Sequence, residues 1–376
     1  MILGIDISTY LEELSHGAKY YSGEREIDPL DAFRENGVDF MRIRLWNNPF
    51  DVAGEPYLAG SCDIKNYIEL SRLAKSKGYR ILLDFHYSDF WADPGKQFIP
   101  KAWQTYNIDE LVYAVYEFTR STLIEARNAD VTPDIIQVGN EITNGMLWPL
   151  GKLETPDGTR GNYENFCRLI DAGCRACRKE APKAKIMLHL ERSNDKEVYQ
   201  EFFHEMQNAN IDYDIIGASY YPYWHGTPDE LFDNLNCCKK FGKELMVVEL
   251  GYGFTTEAYA LDGEKKRLVI DAERSYVRGF TEVYPITPDG QARFVRDFLA
   301  KAHENEIAGI FYWEPLWLPG RNICWASDAG QRYIHEEGKS TSNEWANQCL
   351  FDYSGNKLPA FNEYKIQQIS PDNVLK

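Results

Sequence analysis

Two short stretches decide the fold: Ile136-Gln-Val-Gly-Asn-Glu141 and Leu245-Met-Val-Val-Glu249. Each is an apolar, β-branched run that ends in glutamate, a pattern typical of a buried parallel strand. A carboxylate at the end of such a strand adds little stability but is a frequent catalytic group in α/β barrels. The two glutamates therefore predict an acid/base and nucleophile pair, which glycoside hydrolysis requires. The alternative for each is a structural ion pair with a core arginine.

Strand-like runs recur through the whole sequence, and helical patterns separate them. The predicted strands are Ile2–Ser8, Phe40–Leu45, Arg80–Phe85, Ile135–Glu141, Lys185–Leu190, Ile215–Tyr220, Leu245–Glu249 and Ile307–Trp313. Eight strand–helix units without a change in composition predict one α/β domain over residues 1–376, a single (β/α)8 TIM barrel. Its long βα loops should form an open substrate cleft, and the polar segment 369–376 should be a mobile tail.

The predicted helices have recognisable ends. Asp28-Pro29 and Asp63 are predicted N-caps, and Thr227-Pro-Asp-Glu230 reads as a capping box with proline at the first helical position. Glycines 37, 78 and 242 should close these three helices. A period of 3.6 residues predicts the others at Ile108–Arg127, Tyr163–Glu180, Lys196–Asn208 and Gln291–Asn305.

Composition excludes several classes of function. A net charge of −17 argues against binding to nucleic acid or an anionic membrane, and favours a neutral polysaccharide over an acidic one. No apolar run has the length of a membrane span, and no secretion signal is visible, so we expect a cytoplasmic protein. Secretion with the signal trimmed away is the alternative. The eight cysteines show no metal-binding spacing, and we interpret them as inert thiols.

Several polar residues accompany the glutamates at predicted strand ends. Asn140 could donate to a substrate hydroxyl or simply form a turn, and Arg44 could hold Glu249 ionised or form a structural salt bridge. His86 and His189, with Asp84 and the two glutamates, could also be imagined as a metal centre. The sequence lacks the histidine spacing of such sites, so we predict neither metal nor cofactor.

Tryptophan is concentrated at or after predicted strand ends. Eight of the nine tryptophans follow this pattern, and Trp345 alone lies far from a strand end. Flat aromatic rings above a cleft suit the C–H faces of pyranose sugars, although any single ring could serve only packing. The bias as a whole predicts a carbohydrate cleft.

These motifs, taken in order, resemble one family across residues 3–365, the arabinogalactan endo-β-1,4-galactanases. The matching pieces are Gly4-Ile-Asp-Ile-Ser8, Arg42-Ile-Arg-Leu-Trp46, Leu83-Asp-Phe-His-Tyr-Ser-Asp-Phe-Trp-Ala-Asp-Pro94, Gln137-Val-Gly-Asn-Glu-Ile-Thr143, Ser219-Tyr-Tyr-Pro-Tyr-Trp-His-Gly226, Val247-Val-Glu249, Phe311-Tyr-Trp-Glu-Pro315 and Asn347-Gln-Cys-Leu-Phe-Asp352. The resemblance implies a (β/α)8 barrel and a retaining glycoside hydrolase.

The resemblance also implies roles for individual residues. Glu141 would be the acid/base and Glu249 the nucleophile. The sugar cleft would be lined by Asp6, Arg44, His86, Asp89, Trp91, Asn140, Tyr220, His225 and Trp313. Some bacterial members bind calcium in the loop after strand seven. Here Asp262 and Asp271 lie well apart in that loop, near basic residues 265–267, so we expect no such site.

We therefore expect endo-hydrolysis of β-1,4-galactan, or of galacto-oligosaccharides derived from it, by double displacement. A retaining enzyme acting on another neutral polysaccharide, such as mannan or a β-glucan, is the first alternative. A carbohydrate-binding barrel without turnover is the second.

Overall fold

Eight parallel strands form a closed barrel at the centre of the molecule. In this computed structural model, which describes residues 1–154, 158–339 and 341–366, the strands are β1 (Ile2–Asp6), β2 (Phe40–Leu45), β3 (Arg80–Phe85), β4 (Ile135–Val138), β5 (Lys185–Leu190), β6 (Ile215–Tyr220), β7 (Glu244–Leu250) and β8 (Gly309–Tyr312). Each strand pairs with its neighbours in the sequence, and β1 pairs with β8 from Ile2↔Gly309 to Ile5↔Tyr312. The predicted TIM barrel is confirmed.

Helices surround the barrel. Their bounds are α1 (Tyr10–Ser15), α2 (Pro29–Glu35), α3 (Ile64–Ser76), α4 (Ile108–Asn128), α5 (Tyr163–Glu180), α6 (Lys196–Asn208), α7 (Pro222–His225), α8 (Pro228–Cys238), α9 (Pro288–Glu304), α10 (Asp328–Tyr333) and α11 (Glu363–Ile366). Two short hairpins, Tyr20–Ser22 with Arg25–Ile27 and Ala260–Leu261 with Glu264–Lys265, decorate the loops. No helix in the described ranges is long and apolar enough to span a bilayer.

The predicted helix ends agree closely with the structure. Asp28 accepts hydrogen bonds from the first turn of α2, Asp63 caps α3, and Thr227 and Glu230 form the capping box of α8. The helix predicted from Gln291 begins earlier, at Pro288, because the Thr287 hydroxyl oxygen accepts from the Gly290 N–H. The tail predicted over 369–376 lies outside the described residues.

The barrel interior is apolar at the bottom and polar above. Phe40, Met246 and Phe311 belong to the buried cluster that fills the lower barrel. A Cβ atom on Gly4 would lie only 2.3 Å from the Phe311 ring, so glycine makes room for that ring at the β1–β8 seam. Higher in the barrel, polar side chains of β2 to β6 form a hydrogen-bonded layer, which supports the residues at the mouth.

Candidate active site

A cleft of about 1340 Å³ lies over the carboxyl ends of the strands. Both strand-end glutamates line it, together with six tryptophans: Trp91, Trp224, Trp313, Trp317, Trp325 and Trp345. This is the face of a (β/α)8 barrel on which active sites are built. The sequence placed Glu141 and Glu249 at this face, and the structure brings them together there.

Glu141 follows β4 in an unusual backbone conformation. The strand ends at Val138, three residues before the predicted end, because Gly139 (φ 84°) and Glu141 (φ 50°, ψ 49°) are left-handed. Left-handed backbone is uncommon for a residue with a side chain and is typical of functional sites. The turn presents a buried carboxylate at the mouth, where the Ser219 hydroxyl donates to Glu141 Oε1 at 2.7 Å.

Glu249 lies opposite, on β7, and has different partners. Its Oε1 lies 3.0 Å from Nη2 of Arg42, and its Oε2 accepts a 2.8 Å hydrogen bond from the Tyr221 hydroxyl. One carboxylate oxygen of Glu249 and one of Glu141 lie within 4.8 Å of each other. Carboxyl groups stand about 5 Å apart in retaining glycosidases and markedly further apart in inverting ones.

The surroundings of the two carboxyls differ in charge. Burial raises the pKa of both, and the negative charge of Glu249 raises the pKa of Glu141 further. The Arg42 guanidinium and the Tyr221 hydroxyl oppose the rise in the pKa of Glu249. These surroundings favour protonation of Glu141 over protonation of Glu249.

Arg42, not Arg44, is the cation beside Glu249. Its guanidinium also contacts Asp6 at 2.9 Å, Asp84 at 2.8 Å and the Asn140 side-chain oxygen at 2.9 Å. Of the two roles considered for Arg44, holding Glu249 ionised is wrong, and the structural salt bridge is the one observed. Arg44 is ion-paired instead with Glu314 at 2.6 Å and lies against the Trp91 ring at 4.5 Å.

A family model matches the amino-acid sequence over almost the whole chain. The model described as glycosyl hydrolase family 53 aligns with residues 2–364. The chain belongs to glycosyl hydrolase family 53.

Named relatives agree with the assignment to family 53. The endo-β-1,4-galactanase of Bacillus subtilis is 32% identical over 97% of this chain and 85% of its own length. A solved GH53 catalytic domain from Ignisphaera aggregans has 34% identity and a TM-score of 0.85, covering 97% of this chain and 95% of that one. A solved fungal β-1,4-galactanase has 26% identity and a TM-score of 0.75, with 98% and 99% covered.

Most polar residues predicted to line the cleft of this family 53 chain do so. Arg44, His86, Asn140 and His225 all line it. His225 Nδ1 accepts from the Tyr221 N–H, which places the proton of a neutral ring on Nε2, and burial lowers the His225 pKa to about 4. The Asn140 amide donates one of its two N–H hydrogens to the Ala92 carbonyl, which leaves the second available to a ligand.

Three predicted cleft residues are corrected, because the structure buries them elsewhere. Tyr220 packs against Phe298 of α9 and donates to the Gly226 carbonyl, since alternation along β6 turns it towards the helices. Asp6 lies beneath the cleft, bonded to Arg42 and Ser8. Asp89 holds two loops together through Asn48 and Lys101.

The structure also adds residues that the sequence analysis did not place in the site. Tyr221, Ser219 and Arg42 contact the glutamates directly, and the buried carboxyl of Glu191 lines the cleft with its pKa raised by burial to about 7. Trp345 also lines the cleft, although it lies far from a strand end in the sequence. Alternation along β6 was a usable signal, because it puts Ser219 and Tyr221 on the same face.

Of the residues considered above as a metal centre, Glu141, His189 and Glu249 have ligand atoms within 4.8 Å of one another. The His189 ring is already engaged, with Nδ1 3.0 Å from the Asn140 side-chain oxygen and Nε2 2.9 Å from the Ser219 hydroxyl. In the loop after β7, Asp262 and Asp271 are each paired with an arginine, so this pair does not fit a calcium ion.

Proposed function

We propose that this family 53 enzyme hydrolyses internal β-1,4 linkages of galactan with Glu141 as acid/base and Glu249 as nucleophile. The observation that carries the assignment is the pair itself: two carboxylates with oxygens within 4.8 Å, only one of which faces an arginine. The galactanase names of the relatives support galactan, or galacto-oligosaccharides derived from it, as the substrate.

In the first step the Glu249 carboxylate attacks the anomeric carbon. The bond from that carbon to the glycosidic oxygen breaks, and the leaving oxygen takes the proton of Glu141. Arg42 and Tyr221 hold Glu249 in place and ionised before the attack. The products are a glycosyl ester of Glu249 and a shortened chain with a new hydroxyl.

In the second step Glu141, now ionised, takes a proton from water. The hydroxide adds to the anomeric carbon as the ester bond to Glu249 breaks, which restores both carboxyls to their starting states. Two displacements on opposite faces of the carbon return the β configuration.

A reducing-sugar assay on β-1,4-galactan, mannan and β-glucan tests the substrate. We expect release of reducing ends from galactan at a rate far above the other two. Preference for mannan or β-glucan would assign another retaining β-glycanase, and binding without turnover on all three would indicate a carbohydrate-binding barrel.

Proton NMR during early hydrolysis tests the mechanism. The β-anomer of the new reducing end should appear first, and the α-anomer should follow only by mutarotation. Initial release of the α-anomer would mean inversion and would remove Glu249 as nucleophile.

A further inference from the structure

An exposed tryptophan stands on the rim of the cleft. Trp224 lines the cleft, yet it remains 52% exposed, whereas Trp317 and Trp345 of the same cleft are nearly buried. Leaving a large apolar ring in water forgoes the free energy that burial would provide. Exposed apolar surface inside a cleft is typical of a binding surface.

The segment that carries Trp224 is held on both sides. The His225 ring accepts from the Tyr221 N–H, and the Tyr220 hydroxyl donates to the Gly226 carbonyl. Tyr223 turns inward, where its ring stacks on Tyr252 at 5.7 Å and its hydroxyl accepts from the Gly253 N–H. The turn therefore presents Trp224 in a fixed position, which reduces the entropy lost on binding.

Trp224 ends a row of aromatic rings that crosses the cleft. Trp91 lies 6.1 Å from Trp313, Trp313 lies 4.9 Å from Trp345, and Trp345 stacks with Trp224 at 6.4 Å and 24°. Tyr221, whose hydroxyl contacts Glu249, lies 5.6 Å from the Trp224 ring. Tyr221 therefore connects the nucleophile to the end of the row that Trp345 and Trp224 form.

We propose that Trp224 is a stacking platform for an outer galactosyl residue, at the opposite end of the row from Trp91. This inference rests on the proposed function and names a binding residue for it. In β-galactose the axial hydroxyl leaves one ring face with three C–H groups, and such a face packs on an exposed indole. Such a platform favours galactan chains that are long enough to reach it.

Chain-length dependence of kcat/KM tests the platform, with β-1,4-galactohexaose and β-1,4-galactotriose as substrates. Trp224→Ala should lower kcat/KM on the hexaose about tenfold, mainly through KM, and that on the triose by less than about twofold. Trp224→Phe, which keeps a flat ring, should recover most of the loss. Tyr113→Ala removes an exposed aromatic ring from α4, outside the cleft lining, and should change neither value.

Two outcomes would overturn the platform. Unchanged values in Trp224→Ala would mean that the ring binds no sugar. Equal losses on both substrates would mean that Trp224 acts by positioning Tyr221. If the wild-type protein cleaves neither the hexaose nor the triose, the result counts against the proposed function instead. In that case affinity gel electrophoresis in galactan tests the platform separately, since Trp224→Ala should then be retarded less than wild type.

Discussion

At the residue scale, Glu141 and Glu249 are distinguished by their partners. Glu249 faces Arg42 and the Tyr221 hydroxyl, and Glu141 faces the Ser219 hydroxyl and has no described arginine or lysine within ion-pairing distance. The difference in charge makes Glu249 the better nucleophile and Glu141 the better acid. Replacing either residue separates these roles experimentally.

Glu141→Ala and Glu249→Ala should both be nearly inactive on galactan, but they should differ on an activated aryl β-galactoside that the cleft accepts. A good leaving group needs little protonation, so Glu141→Ala should form the glycosyl ester and then accumulate it. Added azide should attack that ester and give the β-galactosyl azide. In Glu249→Ala azide should give the α-azide, because only direct displacement remains. NMR of the azides measures the outcome, and the opposite pairing would exchange the two roles.

The sequence predicted Glu141 and Glu249 as catalytic candidates because an acidic residue at the end of an apolar run can be recognised without a structure. It did not predict that Arg42 rather than Arg44 reaches Glu249. Both arginines point into the barrel, and the tilt and stagger of the strands decide which one lies level with β7. A β-bulge opposite β6 adds to this, since the register shifts between Ala218 and Ser219. Such offsets are set by the closed barrel and not by local sequence.

At the element scale, strands and helices were predicted well because their signals are local. The capping side chains of Asp28, Asp63 and Thr227 accept from N–H groups two or three residues away. A short stretch of sequence is therefore enough to predict where each helix begins. The loop after β8 has such a signal only at the start of α10, where Ser327 accepts from the Gly330 N–H, and its course across the barrel has none. It returns across the mouth and places Trp345 against Trp313, a contact between residues 32 positions apart.

A buried glutamate in α1, the helix that follows β1, should make the stability of the fold depend on pH. Glu12 of α1 is buried, its Oε2 accepts from the Gly60 N–H, and its Oε1 has no partner among the described residues. Burial raises the Glu12 pKa to about 8. Between the ordinary pKa of glutamate and about pH 8, Glu12 therefore keeps its proton in the folded protein but loses it in the unfolded chain. The contribution of this group is full below that pKa and is lost as the pH rises through about 8.

Glu12→Gln should therefore stabilise the protein at pH 8 by about 1–3 kcal/mol and have little effect near pH 4. Glutamine keeps the acceptor for Gly60 without the ionisable proton. Denaturant unfolding at the two pH values measures the difference, and Glu24→Gln, on an exposed turn, is the matched control. An equal gain at both pH values would show that protonation of Glu12 is not the cause.

At the scale of the whole molecule, the β1–β8 seam closes the barrel. It joins the start of the chain to residues about 300 positions later, through the pairing from Ile2↔Gly309 to Ile5↔Tyr312. Gly4→Ala would place a methyl group 2.3 Å from the Phe311 ring at this seam. We expect a loss of about 1–3 kcal/mol in the free energy of unfolding.

Calorimetry of Gly4→Ala measures that loss as a lower Tm. Gly161→Ala is the control, because a Cβ there meets no described atom within 4 Å and its backbone is not left-handed. An unchanged Tm in Gly4→Ala would mean that the seam tolerates the displacement of Phe311.

The coupling between the two glutamates has a consequence over the catalytic cycle. After burial, the charge of Glu249 is the largest cause of the raised pKa of Glu141. In the proposed glycosyl ester Glu249 carries no charge, so the pKa of Glu141 falls. The fall comes at the stage when Glu141 must act as a base. Hydrolysis of the ester restores the negative charge of Glu249 and leaves Glu141 protonated again. The charge state of one carboxylate thus changes the proton affinity of the other twice in every turnover.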